Sequence, residues 1–199
     1  MTNYTVQDGP IYIQVASGNL IDIRNLKPED ININDIATSL SNTCMAGGHV
    51  KKYYSNAQHS IMVSYQVQHM QSLDKEDLLR EQLRGLLHDA AEIYTMDIRT
   101  PMKRMPEMQG LMALEKRIEA VIAERFGLGT LCSPAVKEAD QYVRAQEMRD
   151  FMAAPLYELP ENDIRVTQRP FGFNIKALEP KQAREEFLKR FRFLKEHGV

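Results

Sequence analysis

Between Leu79 and Tyr94 the apolar residues Leu79, Leu83, Leu86, Leu87, Ala90 and Tyr94 return at steps of three and four. That is the period of a helix with one buried face, and it commits the middle of the chain to packing against other helices. His88 and Asp89 interrupt the pattern where it is most apolar. An imidazole and a carboxylate beside a buried face must be paired, hydrogen-bonded or bound to a cation. Glu92 follows at helical spacing, so all three are expected to reach one pocket from a single turn of helix. Shortly after it, Asp97 opens the run Asp97-Ile98-Arg99-Thr100-Pro101-Met102-Lys103. Acid and base are crowded into a short span.

The flanking sequence supplies further helices. Residues 1–10 read as a tether. Ile11, Ile13 and Val15 alternate with polar positions, Ala16 to Asn19 reads as a turn, and Leu20 to Ile23 as a returning strand, which predicts a hairpin. Two strands are barely stable alone, so the hairpin should lie against the helices. A helix is expected from Asn34 to Cys44, ended by Ala46-Gly47-Gly48. A second is expected from Asn56 to His69, with Ser55 as its N-cap and His59 in its first turn. The central helix should start near Asp74. Pro101, Pro106 and Gly110 mark a break before a helix over Leu111–Phe126. Pro134 suits the first turn of a helix running to about Met152 and carrying Asp140. Residues 153–179 are irregular and proline-rich, and a last helix covers Pro180–His197. The expectation is an all-α fold, a helical bundle with a small N-terminal β-hairpin, in a single domain over residues 1–199.

Composition narrows the function classes. No apolar run approaches the roughly 18 residues of a membrane helix, and no secretory segment follows Met1. Cys44 and Cys132 are the two cysteines, which fits a reducing cytoplasm rather than a disulfide framework. A formal net charge of −2 lacks the basic surplus expected of a protein that grips a nucleic-acid polymer. A small anionic ligand remains compatible.

The histidines are His49, His59, His69, His88 and His197. His197 is close to the end of the chain, and His69 reads as a surface residue at a helix end. His59 and Asp140 sit on helices that flank His88 and Asp89. Two imidazoles and two carboxylates make a nitrogen/oxygen shell suited to Mn, Co, Ni, Fe or Zn better than Ca. Helix bundles build such sites from facing helices. The plain alternatives are a surface charge for Glu92, a turn residue for Asp97, a solvated lysine for Lys103, and buried salt bridges for the rest.

The order His59, His88-Asp89, Asp140 resembles the HD-domain metal-dependent phosphohydrolases, and within them the bacterial and phage 5′-deoxynucleotidase branch. The resemblance is carried by residues 33–41, by Tyr54-Ser55-Asn56-Ala57-Gln58-His59-Ser60, by Leu87-His88-Asp89-Ala90-Ala91-Glu92, by Asp97 to Lys103, and by Val136 to Asp140. It implies that His59, His88, Asp89 and Asp140 hold one divalent ion, with Mg added to the candidate metals. It gives Glu92 and Asp97 the task of positioning or deprotonating the attacking water. Lys103 matches a lysine near the substrate phosphate, and Met45 and Pro101 fall at substrate-lining positions. His49 competes with His59 for the first ligand position, and the Gln-His-Ser setting favours His59. One departure stands out. Members of the branch usually carry an arginine, often followed by an aromatic, just before the Gly-Gly-His loop, to touch phosphate and base. This chain has Met45 and Ala46 there. Lys51 or Lys52 is a candidate replacement.

The resemblance therefore implies a cytoplasmic nucleotide phosphohydrolase, most simply one that removes the 5′-phosphate of deoxynucleoside monophosphates. Alternatives are a deoxynucleoside triphosphate triphosphohydrolase releasing tripolyphosphate, and a non-catalytic metal or nucleotide binding module. The expected partner is a small nucleotide, with no polymeric nucleic acid and no membrane, and the expected assembly is a homo-oligomer, a dimer or larger.

Overall fold

The structure is a computed structural model that describes residues 9–69, 74–153 and 174–198. The tether expected before residue 9 and most of the proline-rich stretch lie outside the described residues. The chain is mostly helical, with one two-stranded antiparallel sheet near its N-terminus. β1 (Tyr12–Gln14) pairs with β2 (Leu20–Asp22), Ile13 facing Ile21. The turn between them is tied to the first helix. Asp35 accepts from the Ser17 amide at 2.6 Å and from its hydroxyl at 2.9 Å. Ile21 and Ile23 are buried, so the hairpin leans on the helices as a lone pair of strands must.

α1 (Ile33–Asn42) starts where the Asn32 side chain accepts from the Asn34 amide. Before it, Pro28–Asp30 forms a short 3-10 turn. α2 (Asn56–Gln66) is capped by Ser55 as its sequence suggested, and continues as a 3-10 turn to His69. α3 (Lys75–Leu87) is capped by Asp74. It ends at Leu87, so His88 and Asp89 follow the helix instead of lying within it. α4 (Glu92–Thr95) and α5 (Thr100–Lys103) are single turns. The second corrects the expected break, because Pro101 sits in the first turn of α5, where its missing N–H costs nothing. α6 (Gln109–Phe126) absorbs Gly110 and stops at Gly127 in the left-handed region. α7 (Pro134–Phe151) is capped by Ser133, and α8 (Pro180–His197) closes the described chain.

The middle of the bundle is α2. It packs on α1, α3, α7 and α8, although its sequence is polar. Asn56, Gln58, His59, Ser60, Ser64 and Gln66 are all buried, whereas Tyr65 is exposed. Polar groups are tolerated there because most find partners. Ser64 Oγ donates to Gln82 O at 2.7 Å, and Gln58 donates to Lys176 O and accepts from the Leu178 amide. Around this helix lies an apolar cluster that includes Ile36, Leu83, Leu86, Ile122, Phe187 and Leu194. A smaller one joins α2 to α7 through Val63, Val136 and Val143.

Gly85 lets α3 approach α2. A Cβ there would stand 3.2 Å from Ser64 Cα and 3.3 Å from Ser64 N, which are backbone atoms that cannot swing aside. Gly85→Val should therefore destabilise the protein by about 1–3 kcal/mol, the usual cost of overpacking, despite the better helix propensity of valine. Urea unfolding checks it, and an unchanged midpoint would show that the helices can part freely.

Candidate metal centre

Three separate pieces of chain deliver the central side chains. His59 hangs from the first turn of α2. His88 and Asp89 occupy the turn after α3, which is wound more tightly than an α-helix. The amides of Ala90, Glu92 and Tyr94 bond to the carbonyls of Leu87, Asp89 and Ala91, each three residues back. Asp140 comes from the second turn of α7. His59 Nε2 lies 3.3 Å from His88 Nε2, 3.1 Å from Asp140 Oδ1 and 3.5 Å from Asp89 Oδ2. His88 Nε2 lies 3.2 Å from Asp89 Oδ1 and 3.9 Å from Asp140 Oδ1.

The outer nitrogens decide what the inner ones can do. His59 Nδ1 is 2.9 Å from Glu147 Oε1, and His88 Nδ1 is 2.9 Å from Gly85 O. Both partners accept, so both Nδ1 atoms carry hydrogen and donate. The two Nε2 lone pairs then face each other and two carboxylates. That arrangement demands a positive charge at its centre. Burial opposes protonation of His59, yet the charge of Glu147 and the hydrogen bond to Asp140 hold it well above the usual imidazole range. Asp140 is pushed up by burial, and the His59 hydrogen bond and Arg144 charge outweigh this, bringing it down to about 2. Asp89, although buried, is held below the usual carboxylate range chiefly by His88. His59, His88 and Asp89 place their ligand atoms within 4.8 Å of one another and could hold a metal ion. Two nitrogens and anionic oxygens, with each imidazole oriented through its far nitrogen, fit a divalent cation.

Glu92 opens α4 at the rim of this cluster. Its Oε1 accepts from Lys103 Nζ at 3.2 Å and its Oε2 from Asn56 Nδ2 at 3.3 Å. Lys103 also donates to Glu115 Oε1 at 2.8 Å, so two carboxylates hold it. Burial, then the charges of Asp89 and Asp97, push the Glu92 carboxyl up to about 9 against the pull of Lys103. Asp89, Glu92, Asp97, Pro101, Lys103 and Met45 line one cavity of about 230 Å³. His49 ends the short turn Met45–Gly48, outside the ligand group. Lys51 and Lys52 line a different cavity with Asn174 and Ile175, so they do not stand in at this one.

Sequence reasoning passed over Glu147, Tyr54 and Arg144. Glu147 is buried and also accepts from Tyr54 Oη at 2.7 Å. Asp140, Arg144 and Glu147 recur at helical spacing along α7, a signal visible in the chain once polar residues are read by the same period as apolar ones.

Two outcomes are expected. Glu147→Gln should weaken metal binding by about 10–100-fold, the typical cost of losing a carboxylate that orients a ligating histidine, as read by metal titration. In metal-free protein Glu92 is a raised carboxyl. Its contribution to stability is present in full below its ordinary value of 4.5 and is lost as pH rises toward about 9. Glu92→Gln should then be more stable than wild type at pH 8, with the difference shrinking toward pH 5. Denaturation across that range checks it, and equal slopes for the two proteins would contradict it.

No protein-family model matches the chain. It is 35% identical over 191 residues to an uncharacterized protein of Escherichia coli (strain K12), YfdR, covering 93% of this chain and 96% of that one. It is 30% identical over 190 residues to an uncharacterized protein of Rhodobacter capsulatus, covering 91% of this chain and 94% of that one. With such identity over nearly the whole of both chains, the protein belongs to the same family as YfdR.

Proposed function

We propose that the protein is a metal-dependent phosphohydrolase of the HD-domain type, and that it removes the 5′-phosphate from deoxynucleoside monophosphates. The observation that carries this reading is the convergence of the His59 and His88 Nε2 atoms with the Asp89 and Asp140 carboxylates, beside the Glu92 carboxylate at the edge of a cavity. A pure binding module has no need of such a group. His59, His88, Asp89 and Asp140 would hold a divalent ion, which when bound would acidify water and neutralise phosphoryl charge.

The remaining chemistry belongs to the chain. Water attacks phosphorus, the bond from phosphorus to the 5′ oxygen breaks, and the leaving nucleoside gains a proton. Glu92 takes the proton of the attacking water, from the rim of the cluster where Lys103 and Asn56 hold its two oxygens. Asp97, on the same cavity wall, orients that water. Lys103 keeps Glu92 in place and adds positive potential toward the phosphate.

The test is a hydrolysis screen of deoxynucleoside mono-, di- and triphosphates with Mn²⁺, Co²⁺ and Mg²⁺, run on wild type and Asp89→Ala. Inorganic phosphate should be released from monophosphates by wild type alone, and Asp89→Ala should lose its metal. Tripolyphosphate from triphosphates would move the assignment to a triphosphohydrolase. Binding without turnover would make the protein a nucleotide-binding module. A wild type that carries no metal under any condition would leave the cluster a structural network.

A further inference from the structure

The cavity beside the cluster holds two guanidinium groups to which the mechanism above gives no task. Arg99 precedes α5 and Arg144 lies on α7 one turn after Asp140, and both line the cavity. Arg99 has a structural use. Its Nη2 donates to Ala46 O at 2.6 Å and pins a turn in which Ala46 and Gly47 take φ of 54° and 62°. Arg144 is held differently. Its Nε donates to Asp140 Oδ1 at 2.7 Å and its Nη1 to Thr100 Oγ1 at 3.3 Å. Arginine has more N–H donors than these two bonds use. Among the described residues no acceptor meets Nη2, and the side chain is 42% exposed. The guanidinium is thus anchored through Nε and Nη1, and its remaining N–H groups, both of Nη2 among them, are left without a protein acceptor among the described residues.

Its anchor matters. Asp140 Oδ1 is also the atom 3.1 Å from His59 Nε2. An anion that docks at the cluster therefore meets the spare N–H groups of Arg144 beside it. A fork of N–H groups matches two oxygens of a phosphate, which a point charge such as lysine does not. The same face of α7 then turns apolar. Met148 and Phe151 follow Arg144 at helical spacing and line the same cavity, with Met45 and Val50 opposite. Phe151 is braced by stacking on Tyr54, with centroids 4.4 Å apart and planes 24° from parallel. One helix face thus runs from charge to aromatic, which suits a phosphate monoester carrying a flat, weakly polar body.

We propose that Arg144 is the phosphate-gripping residue of this site, and that the Arg144–Met148–Phe151 face sets the substrate's direction, phosphate at Asp140 and base toward Phe151. This role rests on the phosphohydrolase reading above. The plain alternative is an ordinary ion pair one helical turn apart, worth a few tenths of a kcal/mol and of no consequence for ligands.

The experiment compares metal-loaded wild type, Arg144→Met and Arg144→Lys. It measures metal content, calorimetric binding of inorganic phosphate, and kcat and KM for a deoxynucleoside monophosphate. Arg144→Met should keep its metal, bind phosphate at least about 10-fold more weakly, and raise KM more than it lowers kcat. Arg144→Lys should recover only part of this, because it restores the charge without the fork, and it keeps the test open if the Met variant folds poorly. Phosphate binding and KM that stay unchanged, or that change only in step with metal loss, would overturn the proposal. So would a wild type that binds no phosphate. Phosphate bound by wild type but not by Arg144→Met, with no turnover in either, would support the role of Arg144 while refuting the hydrolase assignment.

Discussion

Two imidazole nitrogens 3.3 Å apart, each with its ring's other nitrogen already donating, cannot rest together without positive charge between them. Much of the structure follows from keeping that contact in place. Glu147 and Gly85 O fix the rings from behind, Tyr54 holds Glu147, and Asp89 and Asp140 supply the negative walls. The partners come from α3 with the turn after it, from α7 and from the segment before α2, so the contact exists only once the bundle is assembled.

The cluster explains why α2 is buried although it is polar. A helix that must present His59 at the centre of the molecule cannot also be an ordinary amphipathic surface helix. Small residues such as Ala57, Ser60 and Ser64 allow its neighbours in, and backbone and side-chain acceptors on those neighbours satisfy much of what is left. The costs are visible nearby. Glu92 is buried among like charges, and Ala46 adopts a left-handed backbone that alanine rarely takes. Strain and crowded charge of this kind mark a region whose geometry the surrounding structure must enforce.

Much of this was legible in the chain. The caps Ser55 and Asp74, the prolines opening α7 and α8, and the alternation of the hairpin fixed most element starts, because each acts locally. The grouping of His59, His88, Asp89 and Asp140 was legible through their order and the resemblance it carries. The end of α3 was not. Apolar residues spaced by three and four fit an α-helix and a tighter turn equally well, so the pattern runs on through Ala90 after the hydrogen bonding has changed. The burial of α2 was hidden because a polar helix reads as a surface one. Lys51 and Lys52 looked suitable by charge alone, but nothing local shows which cavity a loop lysine will face.

Gly85 joins two roles in one residue. Its bare Cα sets how near α2 and α3 can come, and its carbonyl orients the ring of His88. His59 rides on one of those helices and His88 on the end of the other. The separation of the two Nε2 atoms is therefore inherited from the interhelical distance. The gap that any cation at the cluster would have to fit is set by backbone packing a full turn away, and changing it means re-spacing the bundle itself.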